Sequence, residues 1–123
     1  MSERDCLFCR IVRRDVPSTE VASSGRSYAF RDLHPQAPTH VLIVPRLHIT
    51  NVDTVVAEHA DDVADLLLTA QVVARQEGLV TDGADPQTGG YRLVFNVGEL
   101  SGNTVPHLHL HVLGGRPLAW PPG

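Results

Sequence analysis

The chain has 123 residues, 42% hydrophobic and 20% charged, enough for one soluble domain over residues 1–123 with a core of its own. Ten Lys+Arg against fourteen Asp+Glu leave a net charge of −4, which is not the basic footprint of a nucleic-acid binder. The start, MSERDCLFC, lacks an apolar signal core and no apolar run nears the roughly 20 residues that cross a bilayer, so no membrane partner and a cytoplasmic location are expected.

The first motif is Cys6-Leu-Phe-Cys9, whose spacing suits half of a metal site, a redox pair or two buried thiols. Nothing strand-like precedes it, which argues against a thioredoxin-like arrangement. Leu7 to Arg14 can form a short helix, stopped before Pro17. Thr19–Ser23 and Ser27–Asp32 read as short strands around the turn Ser24-Gly25-Arg26. His40–Pro45 is a continuous, β-branched apolar run closed by proline, the pattern of a buried strand.

From Glu58 to Glu77 the period changes. Val63, Leu66, Leu67, Ala70, Val73 and Ala74 follow the spacing of one helix face. Asp61, Asp62 and Asp65 suit its positive N-terminal end, and Gly78 suits the position just past its C-terminus. Thr81–Gly90 is dense in turn residues, Tyr91–Val97 is strand-like, Glu99–Val105 is a loop, and His107–Leu113 is a last strand. Strands, one long helix, then strands predict an α+β fold with a mainly antiparallel sheet.

The last strand carries the chemistry. His107, His109 and His111 alternate with Leu108, Leu110 and Val112, so on a β-strand the imidazoles share one face. Along a flat strand they stand about 6.5–7 Å apart, too spread to converge easily on one metal ion. An ordinary half-polar strand is the bland alternative; a neutral imidazole that attacks phosphorus is the sharp one. The preceding Ser101-Gly102-Asn103-Thr104 offers hydroxyls, an amide and backbone N–H groups that suit phosphate oxygens.

The run His107-Leu-His-Leu-His-Val-Leu113 resembles the pattern that names the histidine triad superfamily. Its continuation His111-Val-Leu-Gly-Gly-Arg116 and the ending Trp120-Pro-Pro-Gly123 resemble the Hint branch, the purine nucleoside phosphoramidases. Phe8–Pro17 and Ala29–Pro45 agree, so the resemblance spans nearly the whole chain. It implies a HIT-like, five-stranded sheet with one long and one short helix, joined to a second copy in a continuous ten-stranded sheet, with the Trp120 region near the partner's site.

The resemblance also implies a reaction. His109 would attack the α-phosphorus of a nucleoside 5′-phosphoramidate, and water would then cleave the nucleotidyl-histidine, with no catalytic metal. His111 would contact the phosphate, His40 would stand behind it, and Thr104 would lie near the leaving group. Asn96 would hold the phosphate end and Asp32 the ribose hydroxyls, while Phe8, Phe30, Leu33, Ile43 and Val105 would line the base and ribose pocket. Phe8, Phe30 and Ile43 suit an ordinary core equally well. A tetrahedral site around Cys6 and Cys9 needs two more ligands; His48 and His107 are the candidates, and bacterial relatives in the superfamily carry a structural zinc at the matching positions.

Three positions depart from the branch's pattern: Thr104 for serine, Pro106 where an aromatic is common, and Arg31 where histidine is frequent. None removes a group that the reaction needs. A dinucleoside polyphosphate hydrolase of the Fhit type and a nucleotide-binding interaction module with little turnover are the rival readings; the Trp120 ending favours the phosphoramidase over the first, the intact histidines over the second.

Overall fold

A computed structural model describes residues 5–80, 89–103 and 105–123. Helix α1 covers Leu7–Val12, and the long helix α2 covers Ala60–Gln76. Five strands, β1 (Glu20–Ser23), β2 (Ser27–Arg31), β3 (Thr39–Pro45), β4 (Tyr91–Val94) and β5 (Leu110–Gly114), form one sheet in the order β1-β2-β3-β5-β4. Every neighbouring pair is antiparallel. This is the α+β architecture that the element order predicts. No helix among the described residues is long and apolar enough to cross a membrane.

Side-chain alternation gives the sheet two different faces. In β3 all seven residues are buried, so both faces of the central strand are covered. Val41 and Ile43 pack with Ala29, Leu110 and Val112 against Leu66, Ala70 and Val73 of α2. Leu42 and Val44 pack on the opposite face with Tyr28 and Phe30 against Phe8 and Ile11 of α1. A six-residue helix is too short to be stable alone, and α1 stands because it buries Phe8, Cys9 and Ile11 on that face.

Boundaries move where backbone bonding overrides side-chain pattern. The strand expected over His107–Leu113 starts only at Leu110, because the Leu108 N–H donates to the Ile49 carbonyl at 2.6 Å instead of joining the ladder. The inward-outward alternation nevertheless continues: Leu108 lies in the core beneath α2, on the same side as Leu110 and Val112. The strand expected over Tyr91–Val97 ends at Val94, opposite His111, which leaves Asn96 in open chain beside the site. Helix α2 starts at Ala60, directly after the 3₁₀ turn Ala57–His59, and Gly78 closes it with φ 73°, a conformation that side chains disfavour.

Candidate active site and metal centre

The face of the sheet beneath α1 holds two groups of imidazoles. The first gathers around Cys6, at the N-cap of α1, and Cys9 one turn later. The Cys6 Sγ lies 3.1 Å and the Cys9 Sγ 3.4 Å from the His107 Nδ1. The His48 Nδ1, on the segment after β3, lies 3.2 Å from both the Cys9 Sγ and the His107 Nδ1. These four donor atoms all fall within 4.8 Å of one another, and no disulfide links the cysteines.

That geometry fits a tetrahedral metal. Zinc bonds of about 2.3 Å to sulfur and about 2.0 Å to nitrogen place the donor atoms roughly 3.3–3.8 Å apart. The His107 Nε2–H donates to the Pro45 carbonyl at 3.0 Å, which puts the lone pair on Nδ1, the atom that faces the sulfurs. His107 is fully buried, and burial holds its pKa down to about 4, so it offers that lone pair at neutral pH. The strand spacing that seemed to prevent convergence does not apply: one histidine of the three enters this cluster, and the other ligands come from elsewhere in the chain.

The second group lines a cleft of about 400 Å³, within the range of small-molecule sites. The His109 Nδ1–H donates to the His107 carbonyl at 2.7 Å, which leaves Nε2 unprotonated. The Phe8 ring meets the His109 ring edge-on, with centroids 5.1 Å apart. Burial lowers the His109 pKa, so the neutral form persists. His111 is held down to about 4, by burial first and then by its neighbours His109 and His40.

His40 links this pair to the loop before β3. Its Nε2 lies 2.9 Å from the His111 Nδ1 and 3.4 Å from the Asp32 Oδ2. Asp32, His40 and His111 also gather within metal-binding distance of one another. The Gln36 backbone N–H, however, donates to the His40 Nδ1 at 3.0 Å, so the His40 proton is on Nε2 and no lone pair there faces a cation. This trio is a hydrogen-bonded relay.

The cleft combines this relay with apolar walls. Phe8, Phe30, Leu33, Val105, Asp32 and Asn96 line it together with His109 and His111. The Asn96 Nδ2 lies 3.4 Å from the His111 Nε2. Leu33 is 87% exposed and forms an open rim rather than a wall. Thr104 lies outside the described residues.

Ile43 does not belong here. It is fully buried on the opposite face, beneath α2. Leu42 takes the position instead, since it shares strand parity with His40 and lines the cleft. That parity was the available signal: once His40 is placed at the site, the next strand residue on its face is Leu42. Ile11 also lines the cleft and has no sign in the sequence, because an apolar residue on a short helix carries no mark of function.

The HIT domain family model matches residues 13–118. The purine nucleoside phosphoramidase of Escherichia coli strain K12 is 42% identical over 114 residues, spanning 93% of this chain and 90% of that protein. The 14 kDa zinc-binding protein of Zea mays is 39% identical over 125 residues, spanning 100% of this chain and 91% of that protein. Among solved structures, the HIT family hydrolase of Legionella pneumophila Philadelphia 1 superposes with a TM-score of 0.85 at 44% identity, covering 97% of this chain and 100% of that one.

Proposed function

The chain belongs to the HIT domain family, and on that premise we propose that it hydrolyses the P–N bond of purine nucleoside 5′-phosphoramidates. The observation that carries this reading is His109: its Nδ1–H is committed to the His107 carbonyl at 2.7 Å, leaving a lone pair on Nε2 in a cleft with apolar walls and one carboxylate. The similarity to the phosphoramidase of Escherichia coli supports the choice of substrate class.

In this reaction the base lies between Phe8, Phe30 and Leu42, with Leu33 at the rim and Val105 across from it. The Asp32 carboxylate accepts hydrogen bonds from the ribose hydroxyls. The His111 Nε2–H and the Asn96 amide hold the phosphoryl oxygens, whose charge grows as the bond forms. The His109 Nε2 attacks phosphorus, the P–N bond breaks, and the leaving amine takes up a proton from solvent, which the attacking water of the second step returns; the Thr104 hydroxyl is assigned to this end from the family resemblance alone. Water then attacks the nucleotidyl-histidine, and the P–N bond to His109 breaks to release the nucleoside monophosphate.

Cys6, Cys9, His48 and His107 would hold a zinc ion. With four protein ligands the ion would leave no position open for substrate, and these residues would tie α1 to the ends of β3 and of the segment leading to β5. The Zea mays relative's name supports this assignment. Two thiol ligands suit a reducing cytoplasm. Strand β4 is a sheet edge with Leu93 part-exposed, and Trp120 nearby is 81% exposed. A second copy paired along β4 would cover this edge, continue the sheet to ten strands and bring the Trp120 region toward the partner's cleft.

The test is a comparison of kcat/KM across adenosine 5′-phosphoramidate, an AMP–lysine conjugate, guanosine 5′-phosphoramidate and diadenosine polyphosphates. The phosphoramidates should be cleaved at least ~10²-fold faster than the dinucleotides, a difference of about 2.7 kcal/mol in barrier. Equal or faster cleavage of the dinucleotides would sink the assignment, and no turnover with any of them would leave a binding module.

A further inference from the structure

The C-terminal segment reaches the relay through a residue that the reaction above does not use. After β5 the chain turns at Gly115, with φ 91°. A Cβ on Gly115 would stand 2.9 Å from the Pro38 Cβ, so this turn sits directly on the loop between β2 and β3. From the turn, Arg116 reaches over the same loop. Its Nη2 donates to the Gln36 carbonyl at 2.8 Å, and its Nε donates to the same oxygen at 3.3 Å. Its Nη1 donates to the Pro117 carbonyl at 2.9 Å.

The loop that Arg116 holds is bonded along its length. The Asp32 Oδ1 accepts from the His34 N–H at 2.7 Å, and the Gln36 Nε2 donates to the His34 carbonyl at 2.9 Å. At the far end the Gln36 N–H donates to the His40 Nδ1 at 3.0 Å. This last bond is directional. It places the His40 proton on Nε2, where both neighbours are acceptors, the His111 Nδ1 and the Asp32 Oδ2. His111 must then carry its own proton on Nε2, and the Asn96 Nδ2, 3.4 Å from it, is a second donor, so the two serve a shared acceptor and not each other. If the Gln36 bond is lost, His40 can shift its proton to Nδ1, and His111 can follow by protonating Nδ1. Its Nε2 would then have no proton to give to a phosphoryl oxygen.

We propose that Arg116 is a positioning residue: by clamping Gln36 it fixes the tautomers of His40 and His111, and so aims the His111 Nε2–H at the phosphoryl group. The catalytic consequence rests on the phosphoramidate reading of the cleft; the tautomers themselves do not. Arg116 is exposed, so its replacement removes the clamp without opening the core.

The experiment follows the imidazole nitrogens of the full-length protein by long-range nitrogen–proton NMR, in the wild type, Arg116→Ala and Arg116→Lys. In the wild type, His40 and His111 should both carry their proton on Nε2. In Arg116→Ala both should move to a mixture of tautomers. Toward adenosine 5′-phosphoramidate, kcat should fall roughly three- to tenfold, the factor that one ordinary hydrogen bond is worth, with KM within about twofold. Arg116→Lys, which keeps one donor but not the fork, should fall between the two. A wild-type His40 protonated on Nδ1 would overturn the proposal, as would unchanged tautomers and kcat in Arg116→Ala. Tautomers that respond to Arg116 in a protein with no phosphoramidate turnover would uphold the clamp and overturn the substrate instead.

Discussion

His107 and His111 stand four residues apart on one segment, and their surroundings use imidazole in opposite ways. Around His107, two sulfurs and two Nδ1 atoms turn toward one point, and the histidine is fully buried. Around His111 the groups pair in series: the Gln36 N–H serves His40, His40 serves His111, and His111 opens on the cleft. The first arrangement suits a cation, which satisfies several lone pairs at once. The second suits a directional task, since the Gln36 N–H fixes which nitrogen of each ring donates and which accepts. Burial makes both possible by keeping the rings neutral.

The largest expected effect breaks this comparison at its midpoint. His109→Ala should reduce phosphoramidate turnover by at least ~10³-fold, about 4 kcal/mol of barrier, while the protein keeps its metal content by elemental analysis. Near-wild-type turnover would remove His109 from the role of nucleophile. A Cys9→Ala variant should show the reverse pattern. It should lose its metal and about 3 kcal/mol of stability, roughly 10 °C in Tm, and a strong chelator should bring the wild type to the same Tm. A wild-type protein that contains no metal, and whose Tm ignores the chelator, would reduce the cluster to buried thiols and imidazoles.

A third prediction compares the two faces of β3. Ile43→Ala, in the core beneath α2, should cost about 2 to 3 kcal/mol of stability with little change in KM. Leu42→Ala, one residue away in the cleft, should raise KM for the nucleotide. If Ile43→Ala instead raised KM with no loss of stability, the two faces would be wrongly assigned.

The gentlest perturbation is pH. His111, at about 4 in the fold, is still neutral where the unfolded chain's histidines take up protons near 6.5. Over that interval the unfolded state binds more protons, so stability should fall as pH drops from 6.5 toward 4, with no contribution from His111 above 6.5. His40, lowered by burial despite the Asp32 carboxylate, should act in the same direction. Melting curves between pH 7.5 and 5 check this; a Tm that rises on acidification would mean that His111 is charged in the fold.

Much of the molecule was legible beforehand because it depends on short-range periodicity. The apolar spacing of α2, the alternation through Leu108, Leu110 and Val112, and the buried run of β3 each follow from where consecutive side chains must point. The same parity turns Ile43 away from the pocket that the resemblance implies for it and into the core beneath α2. Other features had no local sign. Nothing near Leu108 marks its N–H for the Ile49 carbonyl, and that diversion decides where β5 begins.

By itself, the sequence determined which histidines share a face, because a period of two is a property of any extended chain. The different fates of those histidines were decided only in three dimensions. His107 meets a sulfur 101 positions away, and His111 meets His40 71 positions away. Arg116 reaches Gln36 across 80. Such pairings depend on how the sheet brings strand ends and loops together.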